Sequence, residues 1–238
     1  MQRADTPATL VICATIPAAV GASRRGEWTG TTGSTVPVTW IASWDALAAV
    51  GIPGGNGTDV ALEIPAAALS SRQRMRTLLA RGRDAFPTLD TVALHGVADR
   101  DQRSFLVDEG IRAVLVEQLF ADGRGSRRPP PRGWRCRNAA WGLWDIELSA
   151  TAARGPLAWL WQGMLRLRRG GLHVLKTEGL MVGSGGRVFV HPRLERWLAW
   201  AGRQVDRGVA RTETVGGLVA GLSGEDRLSL GRSILRAA

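Results

Sequence analysis

The chain has 238 residues, 45% hydrophobic and 22% charged, enough for one large α/β domain or two small ones and an ordinary globular mixture. The net charge is +10 and nearly all of the cations are arginine, Lys176 being the sole lysine; a coding bias toward arginine accounts for this as well as an anionic partner does. Two cysteines, Cys13 and Cys136, exclude a disulfide framework and fit a reducing, cytoplasmic compartment, and no run reaches the roughly 18 to 20 apolar residues that span a bilayer.

Thr9 to Ile16 reads as a first buried strand. The alternative is a signal peptide over residues 1–22, since Val20-Gly-Ala-Ser resembles a cleavage site; Pro17 and the offset of Arg3 by Asp5 favour the strand. Pro17 to Ser34 is rich in Gly, Ser and Thr and reads as a loop. Val36 to Ser43 is a second strand, Trp44 to Val50 a short helix, and Gly51 to Gly57 a turn cluster. From Asp59 to Gln118 the pattern is strand, helix, strand, helix, strand: Asp59–Ile64, Ser70–Phe86, Thr91–Gly96, Asp99–Glu109 and Ile111–Gln118. Alternation of this length indicates βαβ units and a parallel sheet.

Ala121 to Gly133 carries three consecutive prolines and opens the basic stretch Arg124 to Arg137, which reads as an exposed arm or a solvated loop. Gly142 to Leu148 is a strand, Pro156 to Arg169 an amphipathic helix, and Leu172 to Glu178 another strand. Gly179 to Val190 is a loop with room for a short hairpin; His191-Pro192 opens a helix, Arg193 to Arg207. Val209 to Thr214 is a last strand, Val215 to Leu222 a short helix and Ser223 to Ala238 a terminal helix. The expected organisation is one barrel-like domain over residues 1–222 and a helical tail over 223–238. Its fold class is α/β, a single deformed (β/α) barrel of seven or eight units, with an open doubly wound sheet as the alternative. No glycine-rich phosphate fingerprint follows the first strand, which counts against a nucleotide-binding Rossmann domain.

Polar residues recur near strand C-terminal ends, the edge where parallel α/β folds build their sites. The candidate catalytic residues are therefore Glu63, His95, Glu117, Glu147 and Glu178, with Asp145 and Lys176 nearby. If they converge, one histidine among carboxylates suits acid–base work or a hard, oxygen-preferring cation. Ion pairing of Glu63, Glu117 and Glu147 with Arg112, Arg135 or Arg137 is the alternative. Ten tryptophans and no tyrosine make Trp40, Trp141 and Trp144, with Trp44, candidates for a sugar-stacking floor or for the core. His173 and His191 read as structural. No helix-turn-helix or aromatic-interleaved RNA motif is present, and nucleic acid is not an expected partner.

The order of motifs resembles that of the NodB-type polysaccharide deacetylases. Val36-Pro-Val-Thr-Trp is similar to the family's Ile-Pro-Ala-Thr-Phe/Trp strand, and Leu62-Glu-Ile falls where the family has His-Glu-Ile. Asp108-Glu-Gly-Ile-Arg-Ala-Val resembles its Glu-Leu-Gly-Tyr-Arg step, and Trp141-Gly-Leu-Trp-Asp-Ile-Glu-Leu its Gly-Leu-Trp-Glu-Ile-Pro segment. Arg193 to Thr214 resembles the closing helix and final strand, so the likeness runs from about residue 9 to 222. It implies a deformed (β/α) barrel, a carbohydrate partner and hydrolysis of an acetyl group. The family's metal ligands are not carried over. No acid lies between Asp5 and Glu27, no histidine precedes His95, and Lys176-Thr177 stands where the late catalytic histidine falls. The resemblance thus implies a deacetylase-like protein without the Asp-His-His triad, with a divalent metal only in a rearranged site. Two further classes remain: a non-catalytic carbohydrate-binding or scaffold barrel, and an adaptor holding an acidic polymer through Arg124 to Arg137.

Overall fold

A computed structural model describes residues 6–22, 34–50, 58–96, 98–116, 136–140, 142–148, 150–151, 167–184 and 187–234. Its centre is a sheet whose strands follow the chain: β1 (Ala8–Thr15), β2 (Val38–Ala42), β3 (Thr58–Ile64), β4 (Thr91–Leu94), β5 (Ala113–Val116), β6 (Cys136–Ala140), β7 (Leu143–Glu147), β8 (Ala150–Thr151) and β9 (Leu172–Glu178). Across the sheet the order is β6-β7-β5-β4-β3-β2-β1-β9-β8. All pairings are parallel except that of the edge strand β6 with β7. On one side of β1 the strands thus run in chain order from β2 to β5 and on to β7, with β6 folded back antiparallel on the edge of β7, while β9 returns to the other side of β1. A doubly wound sheet reverses its order at a switch point; this sheet instead runs round a ring and stops short of closing it. It is a curled, incompletely closed half-barrel, and among the described residues β7 makes no pairing with β8 or β9.

Alternation along the strands assigns the two faces. Leu10, Ile12, Ala42, Leu62, Ile64, Val92, Leu94 and Val114 point outward into a core shared with the surrounding helices. These include α2 (Trp44–Val50), α4 (Arg72–Ala85) and α5 (Arg100–Asp108). Val11, Cys13, Ile41, Ala61, Ala93, Ala113 and Ile146 form a second core with the first turns of the last helix. Four of these, Cys13, Ala61, Ala93 and Ala113, are small, and the larger Leu115, Trp144, Leu172 and Val174 fill the same inner cluster. Cys13 lies there fully buried, and burial pushes its thiol far above the ordinary value.

The helices start where local chemistry starts them. Ser71 caps α4 by accepting from the Arg74 N–H at 3.4 Å. Asp99 and Gln102 form a reciprocal capping box on α5, each contact 2.8 Å. His191 caps α6 (Pro192–Asp206) through Nδ1, which accepts from the Arg193 N–H at 3.1 Å, with Pro192 in the first turn. The helix expected over Ser70–Phe86 is preceded by a separate turn, α3 (Ala66–Leu69), because Ser71 takes the cap position. The loop expected over Pro17–Ser34 contains a short helix, α1 (Ala18–Ala22). The room for a hairpin after Gly179 is taken by β10 (Leu180–Val182) and β11 (Val188–Val190).

The chain ends differently from the two-helix expectation. After β12 (Ala210–Glu213), which pairs with the first half of β1, a single helix α7 runs from Val215 to Ile234. Ser223 and Gly224 do not interrupt it. Its first free N–H groups are met by the sheet. Val215 donates to Thr39 Oγ1 at 2.9 Å and Gly216 to Asp59 Oδ2 at 2.8 Å, while Gly217 donates to Thr214 Oγ1 at 3.0 Å. Val215, Leu218 and Val219 pack into the inner core. Thus α7 covers the inner face at the end where the strands begin, leaving the opposite end as the mouth. No helix among the described residues is long and apolar enough to cross a membrane.

Candidate functional site

The mouth is the edge at which β1, β2, β3, β4 and β9 end. Glu63 is the last inward-facing residue of β3, and its register partner on β4 is Ala93. His95 follows two positions later, its backbone N–H held by Ile64 O at 3.0 Å. The diagonal brings the two side chains together, Glu63 Oε1 on His95 Nε2. Both side chains remain about one-third or more exposed, 31% and 41%, so the pair is open to solvent and to a ligand. With Nε2 donating to the carboxylate, His95 Nδ1 is left as a proton acceptor. A carboxylate orienting an imidazole is the arrangement general-base chemistry uses.

Glu178, at the end of β9, makes a second cluster. Its Oε2 lies 2.9 Å from Arg193 Nη1 and 3.2 Å from His191 Nε2. Because His191 Nδ1 already accepts from the helix N–H, the proton of a neutral ring sits on Nε2 and points at Glu178. Three strand spacings, β9 to β1 to β2 to β3, separate this cluster from Glu63, roughly 14 Å along the sheet at about 4.8 Å per step. Among the described residues no group of three His, Cys, Asp or Glu side chains is placed to hold a metal ion.

The other expected site residues divide. Glu117 and Trp141, with most of the basic stretch Arg124 to Arg137, lie outside the described residues. Glu147 ends β7, but the alternation that turns Trp144 and Ile146 inward turns Asp145 and Glu147 outward, away from the mouth. Asp145 is buried there under α5. Its Oδ2 accepts from Arg103 Nη2 at 3.0 Å and from Arg137 Nε and Nη2 at 3.2 and 3.1 Å. Arg137 therefore pairs with Asp145, and Glu63 with a histidine rather than with an arginine. The half-buried Cys136 thiol nearby is pushed up to about 12 by burial, with Asp145 adding to the shift. Trp40 and Trp144 are 3% and 9% exposed and belong to the outer and inner cores. Neither presents a ring to a sugar. Trp44 is half-buried with the Arg81 guanidinium 4.7 Å over its ring. Lys176 points inward below Glu178, and its charge lies near Cys13. His173 accepts the Arg168 N–H through Nε2 at 3.1 Å, at the end of the sheet opposite the mouth.

Asp59 closes the far end. It is held by the N–H groups of Val60 and Gly216 and by the Thr39 hydroxyl. Burial raises its carboxyl above the usual value, and the nearby Asp90 adds to the shift. Its contacts make it the anchor of α7.

Sequence reading missed Arg193 as a mouth residue and took His191 as a helix entry only. The local signal, His before Pro at a helix start, gives the cap. That the ring's other nitrogen reaches Glu178 depends on the packing of the start of α6 against the end of β9, which no short-range pattern carries.

In comparisons with known proteins, no family model, no curated protein and no solved structure matches this chain.

Proposed function

We propose that the protein is a divergent barrel of the polysaccharide-deacetylase type that binds acylated carbohydrate at the mouth, with Glu63 and His95 as its acid–base pair. The observation that carries the reading is the Glu63–His95 contact on adjacent strand ends at the open edge of a chain-ordered, incompletely closed α/β curl. The order of motifs from about residue 9 to 222 supports the family assignment. Chemically, His95 Nδ1 takes a proton from water as its oxygen attacks the acyl carbon, and Glu63 stabilises the imidazolium that forms. The tetrahedral intermediate collapses as the imidazolium returns the proton to the leaving nitrogen or oxygen. Acetate and the free amine or hydroxyl are the products.

A second reading, a barrel that binds carbohydrate without turnover, is favoured by Glu178. Its carboxylate is engaged by Arg193 and His191 rather than left open as a second acid or base. One experiment separates the two: acetate release from acetylated xylan and from N-acetylglucosamine oligomers, by the native chain and by His95→Gln and Glu63→Gln. The catalytic reading expects release that falls about 100-fold in either variant, the lower end of a general base's usual contribution. Binding of the oligomers with no release favours the binding barrel. Neither binding nor release rejects both.

A further inference from the structure

The mouth carries a feature that neither the family resemblance nor the acid–base pair accounts for. Immediately after Glu178 the chain forms the hairpin β10–β11, a separate two-stranded sheet paired Leu180 with Val190, Met181 with Phe189 and Val182 with Val188. One face is anchored: Leu180 and Val188 are buried in the outer core. The other is not. Met181 and Phe189, direct cross-strand partners on that face, are 39% and 44% exposed; Val182, at the tip of the anchored face opposite Val188, is 37% exposed. These are three of the four large hydrophobic residues that stand exposed among the described residues.

The hairpin is fixed in place. Its root, Gly179, sits so close to Trp40 that an added Cβ would lie 2.6 Å from the indole ring. The Gly179 carbonyl accepts the His191 N–H at 2.8 Å, which ties the hairpin's two ends together. At the turn, Gly183 donates to Arg187 O at 2.9 Å. The Phe189 ring lies directly against Gly183, where a Cβ would come within 2.7 Å of Cε2. The ring is thus laid on a glycine, with its remaining surface open. At its base stand Glu178, His191 and Arg193, all part-exposed and already ordered by contacts with one another.

We infer that the Met181–Phe189 face is a carbohydrate subsite, where a pyranose ring stacks its apolar C–H face on Phe189 and presents hydroxyls to Glu178, His191 and Arg193. The partner chemistry follows from the combination. An aromatic surface alone suits any apolar ligand. A rigid aromatic bordered within one hairpin length by a carboxylate, an imidazole and a guanidinium suits a ligand that is apolar on its faces and rich in hydroxyls at its edges. The hairpin follows the mouth edge directly in the chain, because β9 that supplies Glu178 runs through Gly179 into β10 and β11 returns to His191. This inference rests on the carbohydrate reading proposed above, and it places sugar binding on residues other than the buried Trp40 and Trp144.

The test is binding of an N-acetylglucosamine hexamer and of an acetylated xylan oligomer, by calorimetry, to the full chain and three variants. Phe189→Ala removes the ring. Gly183→Ala leaves the ring in the sequence but displaces it. Phe189→Trp retains a stacking surface. The subsite predicts a Kd weakened roughly tenfold in the first two and near native in the third, with unchanged melting temperatures. If the native chain binds an oligomer and both Phe189→Ala and Gly183→Ala bind it equally well, the subsite is refuted while the carbohydrate reading stands. If the native chain binds neither oligomer, the carbohydrate reading falls and the subsite with it. A native chain that sediments as a dimer and a Phe189→Ala chain that sediments as a monomer, with native oligomer affinity, assign the face to a second copy and refute the subsite.

Discussion

Asp145 offers the sharpest test of how the free edge of the curl is held. It lies on β7, the last parallel strand before the gap, and is 5% exposed. Its Oδ2 takes three hydrogen bonds, one from Arg103 on α5 and two from Arg137 on β6. The two arginines differ in setting: the Arg103 side chain is 23% exposed and that of Arg137 74%. Asp145→Ala strands Arg103 beneath the helix with no anion. Breaking a buried pair from one side costs about 3–5 kcal/mol, and the residual exposure of Arg103 places the expectation at the lower end, about 3 kcal/mol. Arg137→Ala removes a contact that solvent largely replaces and should cost less than about 1 kcal/mol. The Arg103→Ala, Asp145→Ala double variant should be no less stable than Asp145→Ala alone, since the second change removes the stranded charge. Urea unfolding reads all of these as midpoint shifts at constant slope. A loss under about 1 kcal/mol for Asp145→Ala, or equal losses for Arg137→Ala and Arg103→Ala, would refute the assignment of the edge to this buried pair.

Three further expectations concern the core and the docking of α7. The Asp59 carboxyl is raised in the folded chain, so folding favours its protonated form. The stability this contributes is complete below the ordinary aspartate value and is lost as pH rises through the raised one. Asp59→Asn should therefore flatten the decline measured by urea unfolding between pH 4 and 7, and an unchanged decline contradicts it. Thr39 is fully buried and its hydroxyl accepts the Val215 N–H. Thr39→Val orphans that donor and should cost about 1–3 kcal/mol, with earlier amide exchange at Val215 and Gly216 than elsewhere in the inner core. Gly82 sits inside α4 with Leu62 and Leu89 methyls 2.9 Å from where a Cβ would stand. Overpacking of about 1–3 kcal/mol there outweighs a helix-propensity gain of about 1 kcal/mol, so Gly82→Ala should lower the melting temperature; a rise would show that the leucines yield freely.

Much of the fold was legible because its signals are local. The apolar runs of β1, β3, β4 and β9 alternate with helices whose starts are written in single residues, Ser71, Asp99 and His191. The step from Thr91 to Ala113 reads as a βαβ unit without any knowledge of the rest. What was not legible depends on contacts between distant segments. Glu147 could be placed at a strand end, but the face it takes follows from Trp144 joining the inner core. Trp40 and Trp144 have the composition of a sugar platform and the burial of core residues. Ser223-Gly224 has the composition of a helix boundary, yet α7 runs through it, anchored by Thr39 and Asp59 more than 150 residues earlier in the chain. At the mouth, Glu63 and His95 were both expected; that they touch follows from the β3–β4 register, which fixes the diagonal between them.

The chain has three histidines, and their positions allow one direct test of the mouth. His95 and His191 stand at the open edge, paired with Glu63 and Glu178, while His173 lies near the start of β9 at the opposite end. Imidazole NMR signals, assigned by single substitution, would be followed during titration with an acetylated xylan oligomer. Carbohydrate binding at the mouth predicts shifts of the His95 and His191 signals that saturate together, with His173 unmoved. No shift at His95, or a shift confined to His173, would contradict a carbohydrate site at this edge.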